Sequence, residues 1–237
     1  MAYIEGKMMA ENAGAGTKRL AILSLSGALV VLLVFLLPAT RWTVFSTVTL
    51  AVVLCLIIAY MYFRMDPYAW KRIFDRPGYE RLRELDRRVI ESLRLLDDSC
   101  LVLVNTTVEL FHIEYLVVSQ KGIYLLSKIE GTGMTGCENG IPRVGEHSLG
   151  NEVALLWRTC HFLGILMKKT YQVDVLPHPV LVSSDTGAFI MDNCAEITIT
   201  SCESIPSIIT RASGPPLPEG AAENFAYFIK TRYMSAG

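Results

Sequence analysis

Residues 113–130 read "IEYLVVSQKGIYLLSKIE", two runs of apolar and β-branched residues separated by a turn that contains Gly122. Each run has the length and composition of a strand, and the polar break between them is typical of a tight turn. The stretch therefore predicts a β-hairpin. An acidic residue, Glu114, lies near the start of the first run, and Lys128 lies near the end of the second. Both are candidates for a functional site at one end of the hairpin.

The predicted elements around this hairpin form an α/β layer. Residues 100–108, "CLVLVNTTV", have the composition of a third strand, placed before the hairpin. After the hairpin, the Gly-rich residues 130–150 indicate a loop with one short strand. The remaining predictions are a helix over residues 152–169 capped by Asn151, strands at residues 178–184 and 196–200, a helix from about Ser204, and a helix over residues 221–234. This order predicts a mixed sheet flanked by helices.

A predicted amphipathic helix precedes the strands. Apolar residues recur at helical spacing, with charged residues between them, at Leu82, Leu85, Val89, Leu93 and Leu96. Pro77 and Gly78 are expected to break the chain, so we expect this helix to begin at Tyr79 and to pack one side onto the sheet.

The N-terminal part of the chain is strongly apolar. Of all 237 residues, 51% are hydrophobic and the mean hydropathy is +0.37, which is high for a chain without a membrane segment. Residues 20–39 and residues 43–63 contain no charged residue. Each is long enough to cross a bilayer of roughly 30 Å as a helix. The sequence therefore predicts two transmembrane helices joined by a short turn.

The flanking charges predict the orientation of this hairpin. Basic residues precede the first span and follow the second, at Lys7, Lys18, Arg19, Arg64, Lys71, Arg72 and Arg76, whereas Arg41 is the basic residue of the turn. The positive-inside rule then places both termini in the cytoplasm. A cleavable signal peptide is the alternative for the first span, but its apolar region would be shorter, about 7 to 15 residues, and a second span would not follow so closely.

The charge of the chain changes after the spans. Residues 64–94 contain nine Lys or Arg against six Asp or Glu, and residues 95–237 contain nine against fifteen. The basic segment fits an anionic lipid surface, a solvated helix face or nucleic acid. The acidic segment, residues 95–237, disfavours nucleic acid as a partner, because phosphate binding requires concentrated positive charge.

The cysteines and histidines give no motif. Cys55, Cys100, Cys137, Cys160, Cys194 and Cys202 form no CxxC pair and have no histidine at metal-ligand spacing. We therefore expect neither a zinc site nor a disulfide framework, but buried, reduced thiols. His112, His147, His161 and His178 show no catalytic spacing. Ser127 with His161 could be a nucleophile and its base, but the chain has no GxSxG-like elbow around Ser127.

Residues 86–209 resemble a nuclease-related domain (NERD), a branch of the PD-(D/E)XK nuclease superfamily often found behind transmembrane helices in bacterial proteins. The resemblance rests on "IEYLVVSQKGIYLLSKIEGTG", on "NEVALLWRTCHFLGILM" and on "PVLVSS". These are similar to the family's acidic strand, its "GIF" and "ETKN" strand followed by glycine, its Asn-initiated helix and the apolar strand after it. The resemblance implies a restriction-endonuclease-like sheet and, in an active member, Mg²⁺-dependent phosphodiester hydrolysis.

The resemblance also implies where the functional residues would lie. The family's glutamate on the first helix falls at Asp86, and its strand aspartate falls at Glu114; both would be metal ligands. The glutamate of "ETK" falls at Ser127 and its lysine at Ile129, so the second strand of the site has lost both groups.

These losses matter because Mg²⁺ needs oxygen ligands, and a lysine commonly positions the attacking water. Strand alternation puts Ser127 and Ile129 on one face with apolar residues, and puts Lys128 and Glu130 on the other. A one-residue bulge would bring Lys128 onto the site face, leaving Glu114 and Lys128 as candidate catalytic residues. Alternatively, Glu114 is a strand-end carboxylate that bonds a helix N-terminus or an arginine.

The sequence thus predicts a membrane-anchored, cytoplasmic NERD-like domain that is a catalytically inactive pseudonuclease serving as a binding or scaffold module. The alternatives are a Mg²⁺-dependent, membrane-tethered nuclease acting on DNA or RNA, and a structural subunit of a membrane complex. No cofactor is expected, except Mg²⁺ in the active alternative. The expected partners are the lipid bilayer and a protein of unknown identity. The predicted regions are a cytoplasmic tail (1–19), the transmembrane hairpin (20–63), a basic juxtamembrane and helical segment (64–94), the NERD-like domain (95–212), and a linker with a C-terminal helix (213–237).

Overall fold

The computed structural model describes residues 2–6, 27, 49, 52, 53, 56, 57, 60, 69–109, 111–129, 135–138, 140–183, 191–194, 196–211, 217, 218 and 220–234. The chain divides into two compact units. One consists of Met1–Met8 together with Leu82–Gly237, and the other consists of Met9–Arg81.

The elements follow in chain order. The strands are β1 (Tyr3–Gly6), β2 (Leu101–Val108), β3 (Phe111–Ser119), β4 (Gly122–Lys128), β5 (Thr135–Glu138), β6 (Ile141–Val144), β7 (His147–Ser148), β8 (His178–Ser183), β9 (Met191–Cys194) and β10 (Ile197–Ser201). The helices are α1 (Ala69–Phe74), α2 (Arg76–Leu93), α3 (Gly150–Tyr171), α4 (Ile205–Arg211) and α5 (Ala221–Ile229). A 3-10 turn at Cys202–Ser204 precedes α4, and a π-helical turn at Lys230–Met234 follows α5.

A seven-stranded mixed sheet forms the centre of the larger unit, with the order β1-β2-β3-β4-β8-β10-β9. Strands β2, β3 and β4 form an antiparallel meander, and β8 lies parallel to β4. Strand β10 lies parallel to β8 and antiparallel to β9. The predicted α/β class, with a mixed sheet flanked by helices, is confirmed. The predicted hairpin is also confirmed, with Ser119 opposite Gly122 at its turn.

Helices cover both faces of this sheet. On one face, α3 and α5 pack over Leu103, Leu116, Leu125 and Leu181; we call this the α3/α5 face. On the other, α2 and α4 pack over side chains that include Val104, Tyr115, Leu126 and Val180; we call this the α2/α4 face. Because both faces are covered, the central strands are apolar on both sides, as the sequence of β3 and β4 shows.

The start of α2 differs from the prediction. The helix begins at Arg76, so Pro77 and Gly78 lie in its first turn and do not break it. Proline is tolerated there because the first N–H groups of a helix have no intrahelical partner. Asp75 caps the helix, since its Oδ1 accepts from the backbone N–H of Gly78 at 3.0 Å. A β-carbon on Gly78 would lie 2.1 Å from the Asp75 carboxylate, so glycine leaves room for the cap.

The start of α3 also differs. The predicted cap, Asn151, lies inside the helix, and Leu149 occupies the N-cap position without a side-chain hydrogen bond. Leu149 is buried in the core of the α3/α5 face. Apolar packing therefore anchors this helix start in place of a polar cap. The Gly-rich segment contains more structure than predicted, because β5, β6 and β7 form a three-stranded antiparallel sheet.

Strand β1 was not predicted, because residues 1–19 were expected to be a tail. It pairs in parallel with β2, with Gly6 opposite Val104. Gly6 has a φ of +129°, and a β-carbon there would lie 2.1 Å from the carbonyl oxygen of Val104. Only glycine fits both the dihedral angle and this close approach.

The two predicted transmembrane spans lie almost entirely outside the described residues. The few residues described within the second span are helical: Thr49, Val52, Val53, Leu56, Ile57 and Tyr60. Within the part of the chain that is described, no helix combines the length and the apolar character needed to cross a membrane.

Replacing Gly6 tests the role of β1. We expect Gly6→Val to strain the backbone and to separate β1 from β2, with a loss of about 1–3 kcal/mol in the free energy of unfolding. Hydrogen exchange at the amides of Leu101–Val108, together with a thermal melt of the full chain, measures the effect. Gly136→Ala is the matched control, since a β-carbon there meets no atom within 4 Å. Equal behaviour of the two variants would contradict the assigned role of Gly6.

Candidate functional site

The candidate site lies where α2 crosses the ends of β3 and β4. Asp86 lies on the buried side of α2, Glu114 lies on β3, and Lys128 is the last residue of β4. Lys128 Nζ lies 2.8 Å from Asp86 Oδ1 and 3.8 Å from Glu114 Oε1. The structure therefore brings together the three residues that the sequence analysis named as metal or catalytic candidates.

This cluster is buried. The side chains of Lys128, Asp86 and Glu114 are 1%, 3% and 14% exposed, respectively. A charged side chain out of water is stable only when it is paired and hydrogen-bonded. Lys128 and Asp86 meet this requirement through each other.

Tyr115 completes the pairing on the α2/α4 face. Its hydroxyl donates to Asp86 Oδ1, and Lys128 Nζ donates to the Tyr115 oxygen at 3.1 Å. Lys128 Nζ also lies 5.0 Å from the centre of the Tyr115 ring, at cation–π distance. Lysine, aspartate and tyrosine thus form a closed triangle of contacts that fixes α2 against β3 and β4.

Glu114 is bound mainly to the backbone of the neighbouring strand. Its Oε2 accepts from the backbone N–H of Lys128 at 2.6 Å and from the Ser127 hydroxyl at 3.1 Å. The last ladder pair of β3 and β4 at this end is Tyr115 with Leu126. The carboxylate of Glu114 therefore continues the hydrogen bonding of β4 beyond the ladder. The expectation of a strand-end carboxylate fits, although its partners are a strand N–H and a hydroxyl.

The alternation of side chains breaks at Glu114. Ile113 belongs to the core of the α3/α5 face, but Tyr115, two residues later, belongs to the core of the α2/α4 face. On β2, Val108 likewise belongs to the core of the α3/α5 face, and Val104 belongs to the core of the α2/α4 face. The pairs Val104 with Tyr115 and Thr106 with Ile113 place Asn105 opposite Glu114.

Asn105 has a φ of +50°, in the left-handed region that non-glycine residues seldom adopt. Irregular strand positions of this kind redirect side chains and are common beside functional sites. Strict alternation would point Glu114 away from Lys128. The irregularity at Asn105 and Glu114 lets the Glu114 carboxylate reach both the backbone and the ammonium of Lys128.

The faces that strand alternation predicts for β4 agree with the structure. Alternation holds along β4: Leu125 and Ile129 pack in the core of the α3/α5 face, and Lys128 points to Asp86 on the other. However, Asp86 lies on the face of Lys128 and not on that of Ser127. The bulge considered for β4 is also misplaced, because the irregularity lies on β2 and β3.

The histidines have aromatic or acidic neighbours. The Ser127 hydroxyl donates to Glu114, and His161 packs its ring 5.6 Å from that of Trp157. His178 stacks on Tyr124, and His147 lies 3.8 Å from Glu152.

His112 lies two residues before Glu114; burial lowers its pKa, Glu114 raises it and Lys128 lowers it. The net direction is down, so protonation of His112 on acidification opposes folding.

Of the cysteines that the structure describes with their side chains, Cys100, Cys160 and Cys202 are free and buried, as predicted. Burial raises the pKa of Cys160 to about 12 and that of Cys202 to about 11, so both thiols stay protonated and unreactive. Cys137 is disulfide-bonded, so the prediction of reduced thiols is wrong for this residue. Sequence spacing does not show which cysteines meet in space.

Among the described residues, no group of three or more histidine, cysteine, aspartate or glutamate side chains is placed to hold a metal ion. Asp86 and Glu114 contribute carboxylates to the cluster, and the Lys128 ammonium contacts both. Comparison with protein-family models, with curated proteins and with solved structures gives no match.

A double-mutant cycle tests the central pair. We expect Lys128→Met and Asp86→Asn each to cost about 3–5 kcal/mol in unfolding free energy, because each leaves a buried polar partner without its counter-group. The double variant should cost less than the sum, with a coupling of about 1–3 kcal/mol. Chemical denaturation of the four proteins measures it.

The control cycle uses Arg87 and Glu84, an ion pair on the exposed side of the same helix. Its coupling should be much smaller, because solvent screens exposed charges. If the losses in unfolding free energy from the Asp86 and Lys128 substitutions simply add in the double variant, the two side chains do not interact directly.

Proposed function

We propose that the chain is a NERD-like pseudonuclease that serves as a binding or scaffold module, and that Lys128 takes the place of a metal cation. The observation that carries this proposal is the position of the Lys128 ammonium, 2.8 Å from Asp86 and 3.8 Å from Glu114 in a buried cluster. In an active site of this kind, both carboxylates would bind Mg²⁺. Here the same oxygens face an internal cation.

The order of elements supports the NERD-like part of the proposal. Helix α2 is followed by the meander β2-β3-β4, then by α3, and then by β8 parallel to β4. This is the order of helix, three strands, helix and strand that the sequence predicts for the α/β layer containing the family-like stretches. The stretches that carry the resemblance therefore lie on consecutive elements of one α/β layer, which supports treating them as one domain.

The chemistry of the cluster supports the inactive part. Mg²⁺ prefers octahedral oxygen coordination and usually keeps several water molecules, so its sites are open to solvent. Lys128 and Asp86 are almost fully buried, and Ile129 lies in the apolar core where the family's lysine would be. A metal would have to displace the Lys128 ammonium, which already contacts both carboxylates.

The active, Mg²⁺-dependent nuclease is the second candidate. The convergence of Asp86, Glu114 and Lys128 favours it, because these residue types at one end of a sheet can bind a cation and orient water. The burial of the cluster weighs against it.

A bilayer is the proposed setting of the module. The residues described within the second apolar segment are helical, and their large side chains are exposed: Val52, Val53, Leu56, Ile57 and Tyr60. An exposed apolar helix surface fits lipid. The basic flanking residues favour the cytoplasmic side, whereas a disulfide at Cys137 is typical of oxidising compartments. Protease accessibility of the domain in intact cells decides between the two sides.

If the Lys128 ammonium takes the place of a metal cation, a divalent cation should bind only when Lys128 is removed. For the full chain in detergent micelles, we expect Mg²⁺ or Mn²⁺ to give no binding heat and no shift in melting temperature. In Lys128→Met, the two carboxylates lose their internal cation, so Mn²⁺ should raise the melting temperature. Adding Glu114→Gln to that variant should abolish the shift. Lys169→Met, at an exposed position of α3, is the matched control.

Nuclease assays on single- and double-stranded DNA and RNA complete this test. We expect no cleavage by the wild-type chain with either metal. Metal binding by the wild type that Glu114→Gln removes, or cleavage that it removes, would replace the proposal with the nuclease alternative. Indifference of Lys128→Met to Mn²⁺ would contradict the role given to Lys128.

Restoring the family pattern gives an independent test. Ser127→Glu with Ile129→Lys should lower the melting temperature in EDTA, because Ile129 is buried and its burial is worth roughly 1.5–3 kcal/mol. A buried lysine and glutamate without a metal seldom offset their desolvation. The control adds the same residue types at exposed positions, Ser148→Glu with Leu155→Lys. An unchanged melting temperature for Ser127→Glu with Ile129→Lys would mean that the sheet face around Ser127 and Ile129 is accessible to solvent.

A further inference from the structure

Residues 2–6 are an integral part of the larger unit. Ala2 is buried in the core of the α2/α4 face, and Ile4 packs against the same core. The backbone N–H of Tyr3 donates to the carbonyl of Cys100 at 3.2 Å, which extends the parallel pairing of β1 and β2. Gly6 lies directly against Val104.

The π-helical turn at Lys230–Met234 also contacts β1. Lys230 Nζ lies 2.9 Å from Glu5 Oε2 and 3.4 Å from the Tyr3 hydroxyl. One turn further, the Tyr233 hydroxyl donates to Glu109 at 2.8 Å, just after the end of β2. Residues near both chain ends therefore meet at the β1 edge of the sheet.

The path of the chain gives these contacts a topological meaning. Met1–Met8 and Leu82–Gly237 form one compact unit, and Met9–Arg81 forms the other. The chain thus leaves the sheet after β1, passes through the segment that contains both apolar stretches, and re-enters the same unit within α2. A sheet and its core cannot form across a bilayer, because paired backbone groups must lie within hydrogen-bond distance.

We infer that the domain is completed from two pieces on either side of the apolar segment, so that this segment crosses a bilayer an even number of times. The N-terminal strand and residues 82–237 then share one compartment. The inference does not depend on the positive-inside rule. Its bilayer part rests on the proposed membrane setting, whereas the pairing of β1 within one chain does not.

The inference also sets an order of assembly. Strand β1 is made first, but its partner β2 begins 98 positions later than Tyr3, at Leu101. The sheet edge and the core around Ala2 are therefore completed only after the apolar segment has been placed. A chain without residues 1–6 exposes the β2 edge and part of the core of the α2/α4 face.

A designed cross-link tests the pairing in the full chain. Tyr3 lies opposite Leu101, so the register places Ala2 opposite Cys100, a free buried cysteine. Oxidation of Ala2→Cys with diamide should join this position to Cys100 within one chain. Because burial raises the pKa of the Cys100 thiol, the oxidation is run at mildly alkaline pH. Mass spectrometry of the linked peptides identifies the partners.

Two variants complete this experiment. Tyr3→Cys is the control, because Tyr3 is exposed and belongs to neither core; it should not link to Cys100. Gly6→Val in the Ala2→Cys background should reduce the yield, because β1 no longer fits beside Val104. Absence of the link in Ala2→Cys, or a link between two chains, would overturn the inference.

The compartment is tested separately. Peptide tags before Met1 and after Gly237 should be digested, or protected, together when protease is added to sealed vesicles of one orientation. Tags on opposite sides would overturn the inference. The metal and nuclease assays on Lys128 variants do not depend on this outcome, so failure of the topology and failure of the pseudonuclease proposal are distinguishable.

Discussion

The buried contact between Lys128 and Asp86 constrains the rest of the domain. An ammonium group out of water needs a counter-charge, and here that charge comes from a helix packed across the strand that carries the lysine. Helix α2 therefore cannot slide or rotate on the sheet without separating the two charges. Tyr115 adds a contact to each partner, so the helix, β3 and β4 are fixed at one point.

A buried ion pair seldom stabilises a fold more than apolar residues of the same size would. The value of this pair lies in the single arrangement that it permits. Apolar residues on α2, such as Val89 and Leu93, could pack on the sheet in several registers, because hydrophobic contact has no direction. The pair selects one register. That register also holds Glu114 beside Lys128, so two carboxylates and a lysine meet at one end of the sheet.

The periodicity of the sequence was sufficient for the central elements. Strands β2, β3, β4, β8 and β10, and the helices α2 to α5, follow from runs of β-branched residues and from helical spacing. Strand β1 could not be predicted in this way, because four residues carry little pattern and their partner is distant in the chain. Glu114, Lys128 and Asp86 were named as candidates, but the way in which they converge was not predicted, for a different reason. Strict alternation assigns each side chain to a face, and it fails at Asn105 and Glu114, where the backbone is irregular. An asparagine inside a strand of β-branched residues was the available signal, since asparagine tolerates the left-handed region.

The irregularity and the N-terminal strand occupy neighbouring rows of the sheet. Gly6, Val104, Tyr115 and Leu126 lie side by side across four strands. The next row contains Asn105 and Glu114, and the Glu114 carboxylate binds the backbone of Lys128 there. Strand β1 thus ends where the pairing of the sheet becomes irregular, and the chain departs from this point toward its apolar segment. One continuous arrangement therefore includes Gly6, Asn105 and Lys128. The close approach at Gly6 supports Val104. The next residue is Asn105, the irregular position that directs Glu114 to Lys128.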